Sequence, residues 1–327
     1  MASGGTALPR KAASARGEGV QPSSRGTGTS ASGRLGRPSL RRNALPALGF
    51  LTPFLLLLLV FQYVPLVVMA KNSLYDFSLF NPDAGTFVGA DNFVRVFTDA
   101  TTLQSMLVTL LFTIGLLILV IPLSFLLAVY LNGRLAARAL IRTMIFLPVV
   151  TSAVVVATLW TFLLNQSGLI NSSLGAIGIQ PLGFLTDKHE ALPALIVMSV
   201  WQQVGLAAVL FLGGLQSIPA ELQEAAYTDG AGPARRLWHL TIPLLSRTTL
   251  FVVVIMTVFA LQSFAPAYIM TGGAPDGTTN LIIFQIYRTA FYLQQPGYAS
   301  AMAVIVLIFA LLVSLVQMRL LRTRWNY

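Results

Sequence analysis

Six runs of about 20 residues or more, none holding a charged side chain, dominate this chain of 327 residues: 45–70, 105–131, 143–164, 191–217, 248–268 and 299–318. A hydrocarbon core about 30 Å thick takes about 20 helical residues to cross, so each run reads as one membrane span. Inside lipid the backbone must satisfy its own N–H and C=O groups, and a helix does so within a single segment. The expected fold is therefore an all-α integral membrane protein of six transmembrane helices. Composition agrees, with 55% of residues hydrophobic and 10% charged, which excludes an ordinary soluble domain. Pro53, Pro65, Pro122, Pro148, Pro193 and Pro266 lie in or beside these runs. Membrane helices tolerate them where neighbours or water satisfy the freed backbone groups, which predicts kinks.

The basic residues predict orientation. Arg10, Lys11, Arg16, Arg25, Arg34, Arg37, Arg41 and Arg42 precede the first run, and Arg134, Arg138 and Arg142 follow the second. Arg235, Arg236 and Arg247 lie between the fourth and fifth, and Arg319, Arg322 and Arg324 close the sixth. Lys71, Arg95, Lys188 and Arg288 alone fall on the other side. Basic residues concentrate on the cytoplasmic side, and an even number of spans returns the chain to its starting side. The expected localisation is the bacterial cytoplasmic (inner) membrane, multi-pass, with both termini cytoplasmic. Residues 1–43, rich in Gly, Ser, Ala and Arg, lack the apolar side chains that would offset the entropy of ordering, and are expected to form a disordered basic tail. The run from Ala44 to Ala70 is too long for a signal-peptide core and reads as an uncleaved anchor, so residues 44–327 carry the six-span domain.

Several activities lose support. A net charge of +10 on a mostly hydrocarbon-compatible chain is not the folded basic surface of a nucleic-acid binder. With no cysteine, and only His189 and His239 as histidines, there is no disulfide, thiol or paired metal motif. Proton- and sodium-coupled carriers usually hold an ionisable residue within a span, which argues against a self-sufficient carrier or channel. An intramembrane enzyme lacks a metal-ligand pair, paired carboxylates or a Ser/His arrangement in any span. The Gly-rich stretch Thr271 to Gly277 lacks the Lys-Ser/Thr end of a phosphate-cradling loop, so energy for active transport has to come from a partner.

The most informative segment runs from Ser217 to Ser246, between the fourth and fifth spans. Pro219 suits the first turn of a helix, Glu221 and Glu224 lie in its positive N-terminal half, and Gly230 can supply the positive φ that ends it. Pro233 can open a second short helix carrying Arg235 and Arg236, and Pro243 marks re-entry to the bilayer. Glu224-Ala225-Ala226, then Gly230, then Leu240-Thr241-Ile242-Pro243 resembles the cytoplasmic signature of permeases of binding-protein-dependent ABC importers. That signature is E-A-A, three residues, G, nine residues, I-x-L-P; Leu240 and Ile242 are conservative departures. The resemblance implies a coupling helix, carrying Glu221 to Asp229, that docks in a cleft of an ATPase subunit, where Ala225 and Ala226 allow close approach. The competing reading is an amphipathic interfacial helix linking two spans.

Over residues 44–327 the chain is also similar to sugar permeases of the maltose and glycerol-phosphate type. The likeness rests on the six spans, Gly89-Ala90-Asp91-Asn92-Phe93 after the first and Thr271-Gly272-Gly273-Ala274-Pro275 after the fifth. It implies a second related permease, a dimeric ABC ATPase carrying ATP and Mg, and an extracytoplasmic solute-binding protein that docks on the outer loops. This chain itself would hold no cofactor and catalyse nothing. Polar and aromatic residues within spans are expensive unless they face a pathway or a neighbouring helix. Trp160, Asn165, Trp201, Gln202, Gln203, Gln262, Ser263 and Phe264 are accordingly the candidates for cargo contact. Amides bond hydroxyls and aromatic faces pack on sugar C–H faces, which suits a neutral polyol. Helix–helix glue or interfacial anchoring competes at every one of these positions. An importer of an osmolyte, phosphate or peptide is also compatible, because the coupling loop reports the engine and not the cargo.

Overall fold

The computed structural model describes residues 44–133 and 138–320. The expected basic tail over 1–43, with Arg134, Arg322 and Arg324, lies outside the described residues. Packing divides the chain into a unit ending at Leu56 and a second from Leu57 onward. Helix α1 is Ala44–Leu58, with Pro53 inside it and the side chains of Phe50 and Phe54 exposed.

The second unit continues through a π-helical turn, Leu59–Tyr63, and helix α2, Val64–Asn72. A β-hairpin follows, strands β1 (Tyr75–Ser78) and β2 (Asn81–Phe87), antiparallel with Tyr75 opposite Phe87. Then come α3 (Asp91–Thr98), α4 (Ala100–Asn132), α5 (Arg138–Val150), α6 (Ala153–Leu164), α7 (Leu169–Ala176) and α8 (Ala191–Gln216). The loop between spans carries α9 (Ala220–Thr228), α10 (Pro233–Arg236), a π-helical turn Leu237–Thr241 and α11 (Ile242–Leu244). Helix α12 (Ser246–Leu261) is followed by the π-helical turn Pro266–Thr271, α13 (Ile282–Tyr287), a π-helical turn Arg288–Tyr292 and α14 (Pro296–Leu320).

Among the described residues, 6 helical segments are long and apolar enough to cross a membrane: Gly49–Asn72, Ala100–Asn132, Ala153–Ala176, Ala191–Gln216, Ser246–Thr271 and Pro296–Leu320. The third bends at Asn165–Gly168, and α5, a shorter apolar helix packed on α8, precedes it across a break at Thr151-Ser152. An added Cβ on Gly205, midway along α8, would land on the carbonyl oxygen of Ile145 in α5, while Trp160 of α6 packs near Pro193 at the start of α8. The expected run 143–164 is therefore divided: its first part lies in the shorter helix α5, and the third crossing, Ala153–Ala176, begins and ends farther along the chain than expected. The hairpin is a departure from the expected all-α loops. Its short strands hold Pro82 and Gly85, which hide the alternation that marks a strand.

The core lies between α4 and α8. Phe112, Leu116, Val120, Ala128 and Leu131 of α4 are buried at helical spacing against Leu195, Met198, Phe211 and Leu212 of α8. Lipid offers no hydrophobic drive between helices, so close packing and small residues do the work. Thr109 and Thr113 return their hydroxyls to carbonyls one turn back, Ser105 and Thr109, both at 2.7 Å. Thr113 is thereby satisfied within its own helix, and Thr109 in addition accepts from the Ile282 N–H of α13 at 2.8 Å.

Among the described residues, prolines explain three of the four π-helical turns, the exception being Arg288–Tyr292. Pro65, Pro243 and Pro266 follow or open such turns, and each removes the N–H that would satisfy a carbonyl one turn earlier. The Gly89–Phe93 motif has a structural basis as well. Gly89 turns at φ 56°, and the Asn92 side-chain amide donates to the carbonyls of Ser73 and Tyr75, each at 3.0 Å. In the other motif Gly272 and Gly273 adopt φ 60° and 82°, turning the chain back toward α13.

Candidate functional site

Helix α9 begins one residue after Pro219, which stands at the cap and not in the first turn. Glu221 lies in that turn, where the helix dipole favours a carboxylate. The C-terminus closes as a Schellman motif: the Ala231 N–H donates to the Ala226 carbonyl and the Gly230 N–H to that of Tyr227, each at 3.0 Å. Gly230 sits at φ 73°, as its place after the E-A-A triplet predicts. The Arg236 guanidinium lies 5.6 Å from the centre of the Tyr227 ring, joining α10 back onto α9.

Glu221, Glu224, Ala225, Asp229, Gly230 and Pro243 are exposed, while Ala226, Leu240 and Ile242 are half-buried. Behind α9 a cavity of ≈ 340 Å³ separates Gln223 from Asn132 at the end of α4 and from Thr241. The helix thus presents its acidic and small residues outward and rests on a loosely filled back face.

The span residues divide into two groups. Trp160 of α6 and Trp201 of α8 bring their ring centres to 6.0 Å, one half-buried and the other 41% exposed. Phe264 stacks on Tyr268 at 5.0 Å and meets Tyr287 edge-on at 5.2 Å. Ser263, half-buried, and Gln262, exposed, share with Phe264 the break between α12 and the following π-helical turn. Helices α6 and α8 both pack on that turn, so the two groups sit on adjoining elements.

Two candidates are used structurally. The Gln202 side chain is buried and donates to the Thr151 carbonyl at 3.4 Å, where α5 breaks from α6. Asn165 terminates α6, its side chain accepting from the Ser167 N–H at 3.2 Å and its carbonyl from the Asn171 amide at 3.2 Å. Gln203 is half-buried in α8. Sequence reasoning missed Tyr268, Phe284, Tyr287, Phe291 and Tyr292, which extend the aromatic cluster through ring contacts of 5.0 to 6.2 Å. Phe284, Tyr287, Phe291 and Tyr292 fall at i, i+3, i+7 and i+8, a helical-face signal available in the sequence. Among the described residues no group of three His, Cys, Asp or Glu side chains stands together to hold a metal.

Six helices among the described residues, long and apolar enough to cross a membrane, with an exposed capped helix between the fourth and fifth, define a multi-pass membrane protein. The chain belongs to the family described as the binding-protein-dependent transport system inner membrane component, which it matches over residues 120–326. It is 38% identical over 280 residues to the probable ABC transporter permease protein YurN of Bacillus subtilis (strain 168), covering 84% of this chain and 95% of that protein. It is 29% identical over 283 residues to the arabinooligosaccharides transport system permease protein AraP of the same organism, covering 85% and 89%. A solved bacterial alginate ABC transporter, in complex with an alginate pentasaccharide-bound periplasmic protein, contains a chain of the same fold. It aligns at TM-score 0.74 and 25% identity over 86% of this chain and 94% of that one. This chain is a multi-pass inner-membrane permease subunit of an ABC importer.

Proposed function

We propose that this permease pairs with a second, related permease and with a dimeric ATPase that binds ATP and Mg, and passes inward a sugar delivered by an extracytoplasmic binding protein. AraP is named for arabinooligosaccharides, and the alginate transporter was captured with its periplasmic protein; both support carbohydrate cargo and a binding-protein partner. Both termini and the α9–α10 loop lie in the cytoplasm, the orientation favoured by the basic residues at that end of the helices. Closure of the ATPase on its nucleotide pushes on Glu224 to Gly230 and biases the spans between outward- and inward-open packings that both pre-exist. The hydrolytic chemistry belongs to the partners.

The observation that carries this reading is the exposed E-A-A face on a helix closed by a full Schellman motif at Gly230. Glu221, Glu224 and Asp229 are all exposed, as is the Tyr227 ring, so the helix offers both charge and an aromatic contact to a docking partner. Nothing stands within 4 Å of a Cβ built on Gly230, so a larger residue meets no steric block from the chain itself. It does meet the left-handed backbone, at about 1–2 kcal/mol, and whatever surface docks there. Gly230→Leu is expected to insert in normal amounts and to lose binding-protein-stimulated ATP hydrolysis and uptake by about tenfold or more. Uptake at the unmodified rate by an inserted variant would refute the coupling role.

A further inference from the structure

Helices α5 and α8 leave a groove of ≈ 530 Å³ between them, near the end of the bundle that carries α9. The Ile145 carbonyl meets Gly205 and the Thr151 carbonyl meets Gln202, so the two helices run antiparallel. The start of α5 therefore lies alongside the later turns of α8. Arg142 and Thr143 line the groove toward that end, with Gln216 from the last turn of α8. Phe146, Leu147 and Val150 continue the wall deeper along one face of α5, with Val209 of α8 in the opposite wall. At Gly213 the groove is bare, and a Cβ built there meets nothing within 4 Å. Arg142, Leu147 and Val150 are exposed. No acidic residue lines the groove, and among the described residues Arg142 has neither an ion pair nor a hydrogen bond.

A free cation at one end and an apolar trough behind it match the two parts of a phospholipid. The planar guanidinium pairs with phosphate oxygens, and basic pockets between membrane helices on the cytoplasmic side hold anionic headgroups. Along α5 the rise from Arg142 to Val150 is about 12 Å, which sets Val150 beside the middle of an acyl chain whose phosphate lies on Arg142. An apolar trough left unfilled forfeits dispersion contacts that such a chain supplies. An apolar helix of a neighbouring subunit seated on the same groove would bury Arg142 without a countercharge, which is costly, whereas a lipid phosphate brings the countercharge with it.

We infer that the α5–α8 groove binds one anionic phospholipid, with its phosphate on Arg142 and an acyl chain along Leu147 and Val150. The inference rests on the orientation proposed above, which puts Arg142 at the cytoplasmic leaflet, and not on the cargo or the ATPase. Gln216 lines both this groove and the cavity behind α9, so the bound headgroup stands beside the seat of the coupling helix.

The chain has no cysteine, so Val150→Cys supplies a single labelling site. The full chain carrying bimane there is reconstituted in phosphatidylcholine liposomes, into which phosphatidylglycerol or phosphatidylcholine brominated at mid-chain is titrated. Brominated phosphatidylglycerol is expected to quench the probe at about fivefold lower mole fraction than brominated phosphatidylcholine, the equivalent of roughly 1 kcal/mol for one basic residue. Adding Arg142→Gln should bring the two lipids level, and Arg142→Lys, which keeps the charge, should retain the preference. Adding Gly213→Phe, which fills the groove and leaves Arg142 in place, should remove the preference as well. Equal quenching by the two lipids in the singly labelled chain, or a preference that survives Arg142→Gln or Gly213→Phe, would overturn the inference. The assembly purified from its native membrane should show the same preference; protection of the probe from both lipids there would assign the groove to a neighbouring subunit and overturn it too. No readout uses ATP, so such a failure leaves the coupling role standing. Failure to recover an ATPase with the chain would sink the importer reading without touching the lipid preference.

Discussion

Asp99 shows how a single residue ties the start of one span to another. It caps α4, accepting from the Thr101 N–H at 3.3 Å and the Thr102 hydroxyl at 2.6 Å, while the Tyr298 hydroxyl of α14 lies 3.1 Å away. The Arg95 guanidinium covers the Tyr298 ring at 4.1 Å. Partial burial pushes the carboxyl up, but the Thr102 hydroxyl, the Thr101 N–H and the Tyr298 hydroxyl outweigh it and hold Asp99 below the usual carboxylate range. A carboxylate lowered on folding stabilises fully above its unfolded value of about 3.9, and that contribution is lost as pH falls through the folded value. Asp99→Asn keeps a capping side chain but loses charge-assisted bonds, which predicts a destabilisation of about 1 kcal/mol at neutral pH. The gap in melting temperature between the two proteins, followed in detergent by light scattering, should begin to narrow as pH falls below about 4 and go on narrowing through the lowered folded value; a pH-independent gap would contradict this role. Residue type exposed Gly230 to a reading from sequence, because a positive φ after a capped helix admits few alternatives. Gln202 was not legible in the same way. Whether an amide within a span faces cargo or backbone depends on where the neighbouring helix breaks, and Pro148 alone does not place that break at Thr151.

At the scale of elements, the third passage is the one the sequence resolves least. Residues 143–164 read as one apolar run, yet α5 and α6 are separate helices that pack on different parts of α8. Close approach of α5 to α8 depends on Gly205, whose missing Cβ makes room for the Ile145 carbonyl. Backbone cannot move aside as a flexible side chain can, so Gly205→Ala is expected to cost about 1–3 kcal/mol, read as lower thermal stability in detergent. Gly213→Ala, where nothing lies within 4 Å, is the matched control and should be near neutral. Equal effects from the two substitutions would remove the packing argument. Breaks in the helical ladder at Pro65 and Pro266 were foreseeable from the missing N–H, whereas their form as π-helical turns depends on which neighbours donate to the freed carbonyl. The short hairpin after α2 was hidden for a different reason: two strands of 4 and 7 residues give too little alternation to stand out.

For the whole molecule, the six-span architecture was legible because each span satisfies its own backbone and so declares itself independently of every other. The surfaces that meet another subunit are not declared in that way, since an exposed apolar side chain looks alike to lipid and to a partner permease. Trp201, Phe162 and Phe291 are all substantially exposed, at 41%, 73% and 56%, and sequence alone offers no means of choosing between those neighbours. The central claim is that this chain moves solute only as part of an ATP-driven assembly. Mild-detergent affinity purification from its native membrane, with mass identification and an ATPase assay on the product, tests it most directly. The account predicts recovery of a second six-span permease and an ATPase whose hydrolysis rises with sugar-loaded binding protein. A chain that purifies alone and transports solute by itself in liposomes would contradict it.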